Sequence, residues 1–80
     1  MENTMTDKYR RAIIQRIKDL RKEKGITQIQ MANKIGVKQS HISRMESGNH
    51  RISIDFFIMV ITEGLEMSLH DFFKEELNVD

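Results

Sequence analysis

The chain has no cysteine, no proline and no tryptophan, a single tyrosine, and four glycines among 80 residues. Without cysteine there is neither a disulfide framework nor a thiolate zinc site, so stability has to come from packing, and a reducing cytoplasm is the simplest compartment. Without proline, helix boundaries have to be read from periodicity, capping residues and glycines. No apolar stretch approaches the roughly 20 residues that span a bilayer, and no hydrophobic signal segment opens the chain. A soluble, unexported protein with no membrane partner is therefore expected. Low-complexity tracts and internal repeats are missing as well. The length suits one small domain with a thin core that gains from a partner chain.

The net charge of +1 conceals a division along the chain. Residues 1–51 hold 12 Lys/Arg against 5 Asp/Glu, and residues 52–80 hold 1 against 7. A basic half is the electrostatic footprint of a phosphate-binding face, because Lys and Arg displace the counterions condensed on a duplex. Its competing reading is an ordinary solvated surface.

Periodicity and caps predict five helices. The first is capped by Thr6 or Asp7 and runs to Lys24, with Ile13, Ile17 and Leu20 on one face and Gly25 as its stop. Thr27 caps the second, whose Met31, Ala32 and Ile35 face inward before Gly36 turns the chain. The third, about Gln39 to Glu46, turns Ile42 and Met45 inward and leaves Gln39, Ser40, His41, Ser43 and Arg44 outside or at the margin. Helices two and three around Gly36 form a helix-turn-helix, in which one helix braces the other so that its exposed side chains enter the DNA major groove.

Ser53 caps a fourth helix to about Glu63, and Ser68 with Asp71 opens a fifth. The run Phe56-Phe57-Ile58-Met59-Val60-Ile61 is apolar on nearly every face of the fourth helix. One side of so small a core does not satisfy it, so a homodimer is expected to cover the rest through Phe56, Ile58, Met59, Leu65, Met67, Phe72 and Phe73, with Leu69 and Leu77 extending the surface. The competing reading is that these residues complete a monomer's core. In outline, residues 1–6 form a flexible N-terminal arm, 7–77 a single domain with helices four and five as its dimerisation region, and 78–80 a tail.

The residues Leu20-Arg21-x-x-Lys24-Gly25-Ile26-Thr27-Gln28, Ala32, Gly36-Val37, Ser40-x-Ile42-Ser43-Arg44-x-Glu46-x-Gly48 resemble the Cro and phage-repressor type of helix-turn-helix domain, also called XRE-like. The resemblance covers about residues 10 to 73, including Ser68-Leu69-x-Asp71-x-Phe73. It implies an all-α fold, a compact five-helix bundle of the lambda-repressor-like DNA-binding type. It also implies a dimeric transcriptional regulator on a palindromic operator, with double-stranded DNA as partner, RNA polymerase as a further one where the regulator activates, and no cofactor. By position, the resemblance makes Gln39, Ser40 and Arg44 base-reading residues. Gln28, Lys38, His41, Ser43, Asn49 and Arg51 become phosphate or mixed contacts, and Arg21 and Glu46 a structural ion pair. The chemistry agrees, since Gln can bond adenine N6 and N7 and Arg guanine O6 and N7. Small members include phage repressors, antitoxins and controller proteins of restriction-modification systems; the compact chain suits the controller role.

Two departures from that pattern stand out. Lys38 occupies the place of the usual Ser or Thr cap, so the third helix either frays or takes another cap such as Ser40. The Gly64-Leu65-Glu66-Met67 segment is offset by about one residue. An enzyme is not expected. His41, His50 and His70 fall into no metal-binding or catalytic spacing, and a bundle this small has little room for a substrate pocket. The alternative from another class is an antitoxin or other protein-binding module on the same scaffold.

Overall fold

The computed structural model describes residues 4–79, and within them the chain is helical with no strand. The helices are α1 (Met5–Glu23), α2 (Gln28–Ile35), α3 (Gln39–Glu46), α4 (Ile54–Met59), which continues as a wide π turn (Val60–Gly64), and α5 (Leu69–Phe72).

Each start follows from a short polar side chain. Thr4 Oγ1 accepts the Asp7 N–H at 3.1 Å, so α1 begins earlier than a Thr6 or Asp7 cap implies. Residues 5 and 6 therefore belong to the helix and not to a flexible arm, whose residues 1–3 lie outside the described part. α1 ends in a Schellman arrangement. Gly25, at φ 70°, donates to the Lys22 carbonyl and Ile26 to that of Arg21, which satisfies the carbonyls left over by the last turn. Thr27 and Gln30 cap α2 reciprocally: the Thr27 hydroxyl accepts the Gln30 N–H at 3.0 Å and the Gln30 side-chain oxygen accepts the Thr27 N–H at 2.9 Å. Gly36, at φ 75°, then makes the tight turn into α3.

The core is built from Ile14 and Ile17 of α1, Met31, Ala32 and Ile35 of α2, Ile42 and Met45 of α3, and Val60, Ile61, Leu65 and Phe72 from the C-terminal half. Ile13 and Leu20 are only half-buried, because the inward stripe of α1 is centred on Ile14 and Ile17. Arg16 ties the far end of the chain to α1. Its guanidinium donates to the carbonyls of Phe72, Glu75 and Glu76 at 2.6–2.9 Å and lies over the Phe72 ring.

The C-terminal half departs from expectation in an informative way. The fourth helix is not α-helical through Glu63: the Leu65 N–H reaches back to the Val60 carbonyl, five residues earlier. A π turn accommodates one extra residue in a helix, which matches the one-residue offset of the Gly64–Met67 segment. The wide turn rotates Val60, Ile61 and Leu65 inward together, and all three are fully buried. Gly64 is pressed against α2 so closely that a Cβ there would lie 3.3 Å from Met31 Cε. Past it, Glu66 takes a left-handed backbone at φ 57° and pairs with Lys34 of α2.

This packing corrects the expected dimer surface. Leu65 and Phe72 are interior residues of the chain itself, at 0% and 1% exposure, and present nothing to a second copy. Phe72 sits edge-on to Phe57 and Phe73. Phe56, Met59 and Met67 are half-buried against the same core. The apolar run is thus mostly consumed internally. What remains outside is Ile54 and Ile58, one turn apart on α4, with Leu69 and Phe73.

Candidate nucleic-acid interface

α3 packs through Ile42 and Met45, both buried, and this fixes which of its side chains face out. Lys38, Gln39, Ser40, His41, Ser43 and Arg44 are all exposed. They form a polar surface on a helix held at both of its ends.

The C-terminal end is held by an ion pair. Arg21 of α1 donates through Nε and Nη2 to the two carboxylate oxygens of Glu46, at 2.7 and 3.0 Å, with both residues buried. The third hydrogen bond of Arg21 goes to the Ile26 carbonyl at 2.7 Å, so the same guanidinium also fixes the α1–α2 turn. Glu46 accepts further from Gln28 Nε2 at 3.0 Å, and the Gln28 side-chain oxygen accepts in turn from Gln39 Nε2 at 3.3 Å. A continuous chain of side chains therefore runs from α1 through the pair and α2 to the first residue of α3. It fixes the orientation of both amides, and leaves the carbonyl oxygen of Gln39 outside these bonds.

The N-terminal end of α3 is different. Lys38 is in extended conformation at the cap position and makes no side-chain capping bond, and Ser40 lies within the first turn instead of capping it. The helix nevertheless starts at Gln39, so the early N–H groups of α3 are left without a side-chain acceptor beside a lysine ammonium. A phosphate oxygen satisfies such a helix start well.

Beyond α3 the chain is folded back by Ser47 and Gly48. The Ser47 hydroxyl donates to the Arg44 carbonyl at 2.7 Å and accepts the Asn49 N–H, and Gly48 at φ 77° supplies a backbone that side chains rarely adopt. The result is a notch of about 320 Å³ in which His41 and Arg44 of α3 meet His50 and Arg51 of the loop and Ser53 at the start of α4. The His41 ring stands edge-on to Phe56 at its margin. Neither His50 nor Ser47 is among the contacts expected from the sequence. The Ser-Gly pair after α3 was the available signal for both.

Of the sequence-predicted contacts, Gln39, Ser40, Arg44, Lys38, His41 and Ser43 share the exposed part of α3, Asn49 and Arg51 flank it on the following loop, and Gln28 adjoins it across the α2–α3 turn. None of the described helices is long and apolar enough to cross a membrane.

Comparison with known proteins agrees with this geometry. A family model described as helix-turn-helix matches residues 17–60, which runs from the middle of α1 to the end of α4. No curated protein and no solved structure gives a significant match. The match spans more than half of the chain and includes the buried pair, both helices of the motif and the loop after them. The chain belongs to the XRE-like helix-turn-helix family, and is a DNA-binding transcriptional regulator by that membership.

Proposed function

We propose that the protein is a sequence-specific regulator that acts as a homodimer on a pseudo-palindromic operator. Two copies related by a two-fold axis present their α3 helices to successive major grooves about 34 Å apart. Gln39, Ser40 and Arg44 read base edges, and Gln28, Lys38, His41, Ser43, Asn49 and Arg51 hold phosphates. The observation that carries the reading is the brace at Glu46: a buried, bidentate pair that fixes an otherwise polar and exposed helix in one orientation. Rigid presentation of a few side chains is what base readout requires.

The amide chain favours a particular base. With one Nε2 hydrogen of Gln39 committed to Gln28, the other hydrogen and the side-chain oxygen are oriented to meet adenine N7 and N6. Arg44 suits guanine. Dimerisation uses apolar side chains that stay exposed, Ile54 and Ile58 of α4 together with Phe73. Because reading and self-association reside in one small unit, occupancy follows concentration by mass action. That suits a self-limiting role such as the controller protein of a restriction-modification system, with polymerase contacted where the bound dimer activates.

Sedimentation of the protein alone and with a selected duplex tests this. Two chains per operator and a dimer disrupted by Ile58→Asp support it, whereas a single chain bound per site overturns the homodimer. A stable monomer that binds no duplex favours a protein-binding module on the same scaffold.

A further inference from the structure

The first half of α1 and the start of α4 enclose an apolar groove of about 510 Å³. Met5, Tyr9 and Ile13 line it from α1, and Ile52, Ile54 and Phe57 from α4 and the residues just before it. Among the described residues seven large apolar side chains stay exposed, and three of them, Met5, Tyr9 and Ile54, meet at this groove. Ile54 and Met5 stand out furthest, at 71% and 66% exposure, so one patch carries both projecting side chains and a recess. α1 holds seven Lys/Arg against three Asp/Glu, yet the one charged side chain lining the groove is Arg10, which Asp7 neutralises at 2.7 Å from the turn before. An apolar recess with balanced charge at its rim offers nothing to a phosphate and does not repel a copy of itself.

We propose that a second copy of this chain fills the groove, so that the first half of α1 joins α4 in the dimer contact. The inference rests on the homodimer reading and names the surface that reading needs. A stable two-fold contact covers roughly 800 Å² and 20–30 residues per copy, and Ile54, Ile58 and Phe73 alone fall well short of that. The groove supplies further apolar area and is continuous with them: Ile54 belongs to both, and the Phe57 ring on the groove wall lies 6.1 Å from the ring of Phe73. A two-fold axis brings one patch against itself, which requires projections and recesses on the same face. Ile54 of each copy enters the groove of the other, beside Tyr9. Ile52 lines this groove and also the notch beside α3, so the contact between copies adjoins the DNA-facing surface.

Sedimentation of the full chain over a range of concentrations tests this. Met5→Glu places a carboxylate in the first turn of α1, where the helix dipole favours it, so the melting temperature holds or rises while self-association weakens about ten-fold or more. Tyr9→Ala is expected to weaken it as well. Ile29→Glu removes a comparably exposed apolar side chain from α2, outside the groove, and is expected to leave the dimer unchanged. Because the chain has no cysteine, oxidation of mixed single variants reads the contact directly: a disulfide is expected between Tyr9→Cys and Ile54→Cys chains, and none between Ile29→Cys and Ile54→Cys chains. The dye anilinonaphthalene sulfonate is expected to bind the dilute chain and to be released as concentration drives dimerisation. Parent-like self-association of both Met5→Glu and Tyr9→Ala, or dye retained by the dimer, overturns the proposal: the homodimer then rests on Ile58 and Phe73, and the groove belongs to a small ligand or another protein. A parent chain that stays monomeric, alone and on a duplex, removes the homodimer reading together with this one, an outcome distinct from a dimer indifferent to α1.

Discussion

Glu46, in the last turn of the recognition helix, receives both Nε and Nη2 of Arg21, a residue 25 positions earlier on α1, while the two side chains stay nearly closed to water. Two charges taken out of water add little net stability, but each makes the other indispensable, because removal of one strands the other in the interior. Glu46→Ala is accordingly expected to cost about 3–5 kcal/mol in denaturant unfolding. Replacement of both, Arg21→Met with Glu46→Leu, is expected to recover much of that loss and to loosen α3 against α1, read as reduced operator preference. An unchanged unfolding midpoint for Glu46→Ala contradicts the burial argument.

Lys38 trades a helix cap for a charge. Lys38→Thr supplies the missing side-chain acceptor and is expected to raise stability by about 0.5–1 kcal/mol, while DNA binding weakens alike on all sequences and its salt slope becomes shallower by about 0.9. Thermal melting and salt titration of the one variant measure both. If stability and affinity move in the same direction, the lysine serves neither purpose.

Arg44→Ala is expected to behave differently from Lys38→Thr. Loss of a base-reading guanidinium relaxes preference at one base pair by about 1–3 kcal/mol, with less effect on random DNA than on the operator. Equal losses on the two duplexes would contradict its assignment.

Gly48→Ala forces a side chain into a left-handed backbone, at φ 77°, and is expected to cost about 1–2 kcal/mol. Because the same turn positions Asn49 and Arg51 on the loop that flanks α3, phosphate affinity falls as well. Circular dichroism melting and binding to a random duplex check the two effects separately.

Lys34 beside Glu66 holds its carboxyl below the ordinary value of 4.5, and Arg10 does the same to Asp7 below 3.8. A depressed folded-state value means the unfolded chain takes up protons first, so the contribution is fully present above the ordinary value and is lost as pH falls through the folded one. The stability difference between the parent and Glu66→Gln is therefore expected to be constant above about pH 5 and to vanish in more acidic solution. A difference that grows as the pH is lowered from 5 runs against the pair. The Lys34–Glu66 pair is solvent-facing, so its effect is small and weakens with salt.

Much of the site was legible because its signals are local. Thr27, Gly25 and Gly36 mark the boundaries of α1 and α2 through their capping and left-handed conformations, and Ile42 and Met45, three positions apart, orient α3 without reference to the rest of the chain. The Thr27–Gln30 capping box was equally readable, as Thr and Gln three apart. The C-terminal half was less legible because its conformation is set by contacts distant in sequence. The π turn exists where Gly64 meets Met31 and Glu66 meets Lys34, and no periodicity within residues 53–68 encodes either partner. The same turn draws Leu65 into the interior, while Phe72 is enclosed between Phe57, Phe73 and Arg16, so an apolar run that suggested a second chain is largely covered by the first.

The central claim is that α3 reads sequence from a braced scaffold. Selection of random duplexes by the purified protein at about 0.15 M salt, where non-specific phosphate binding is weakened, tests it most directly. The account predicts enrichment of an inverted repeat with half-sites one helical turn apart, each with an adenine facing Gln39 and a guanine facing Arg44. A pool that stays random, or that gives the same motif after Gln39→Ala and Arg44→Ala, would contradict it.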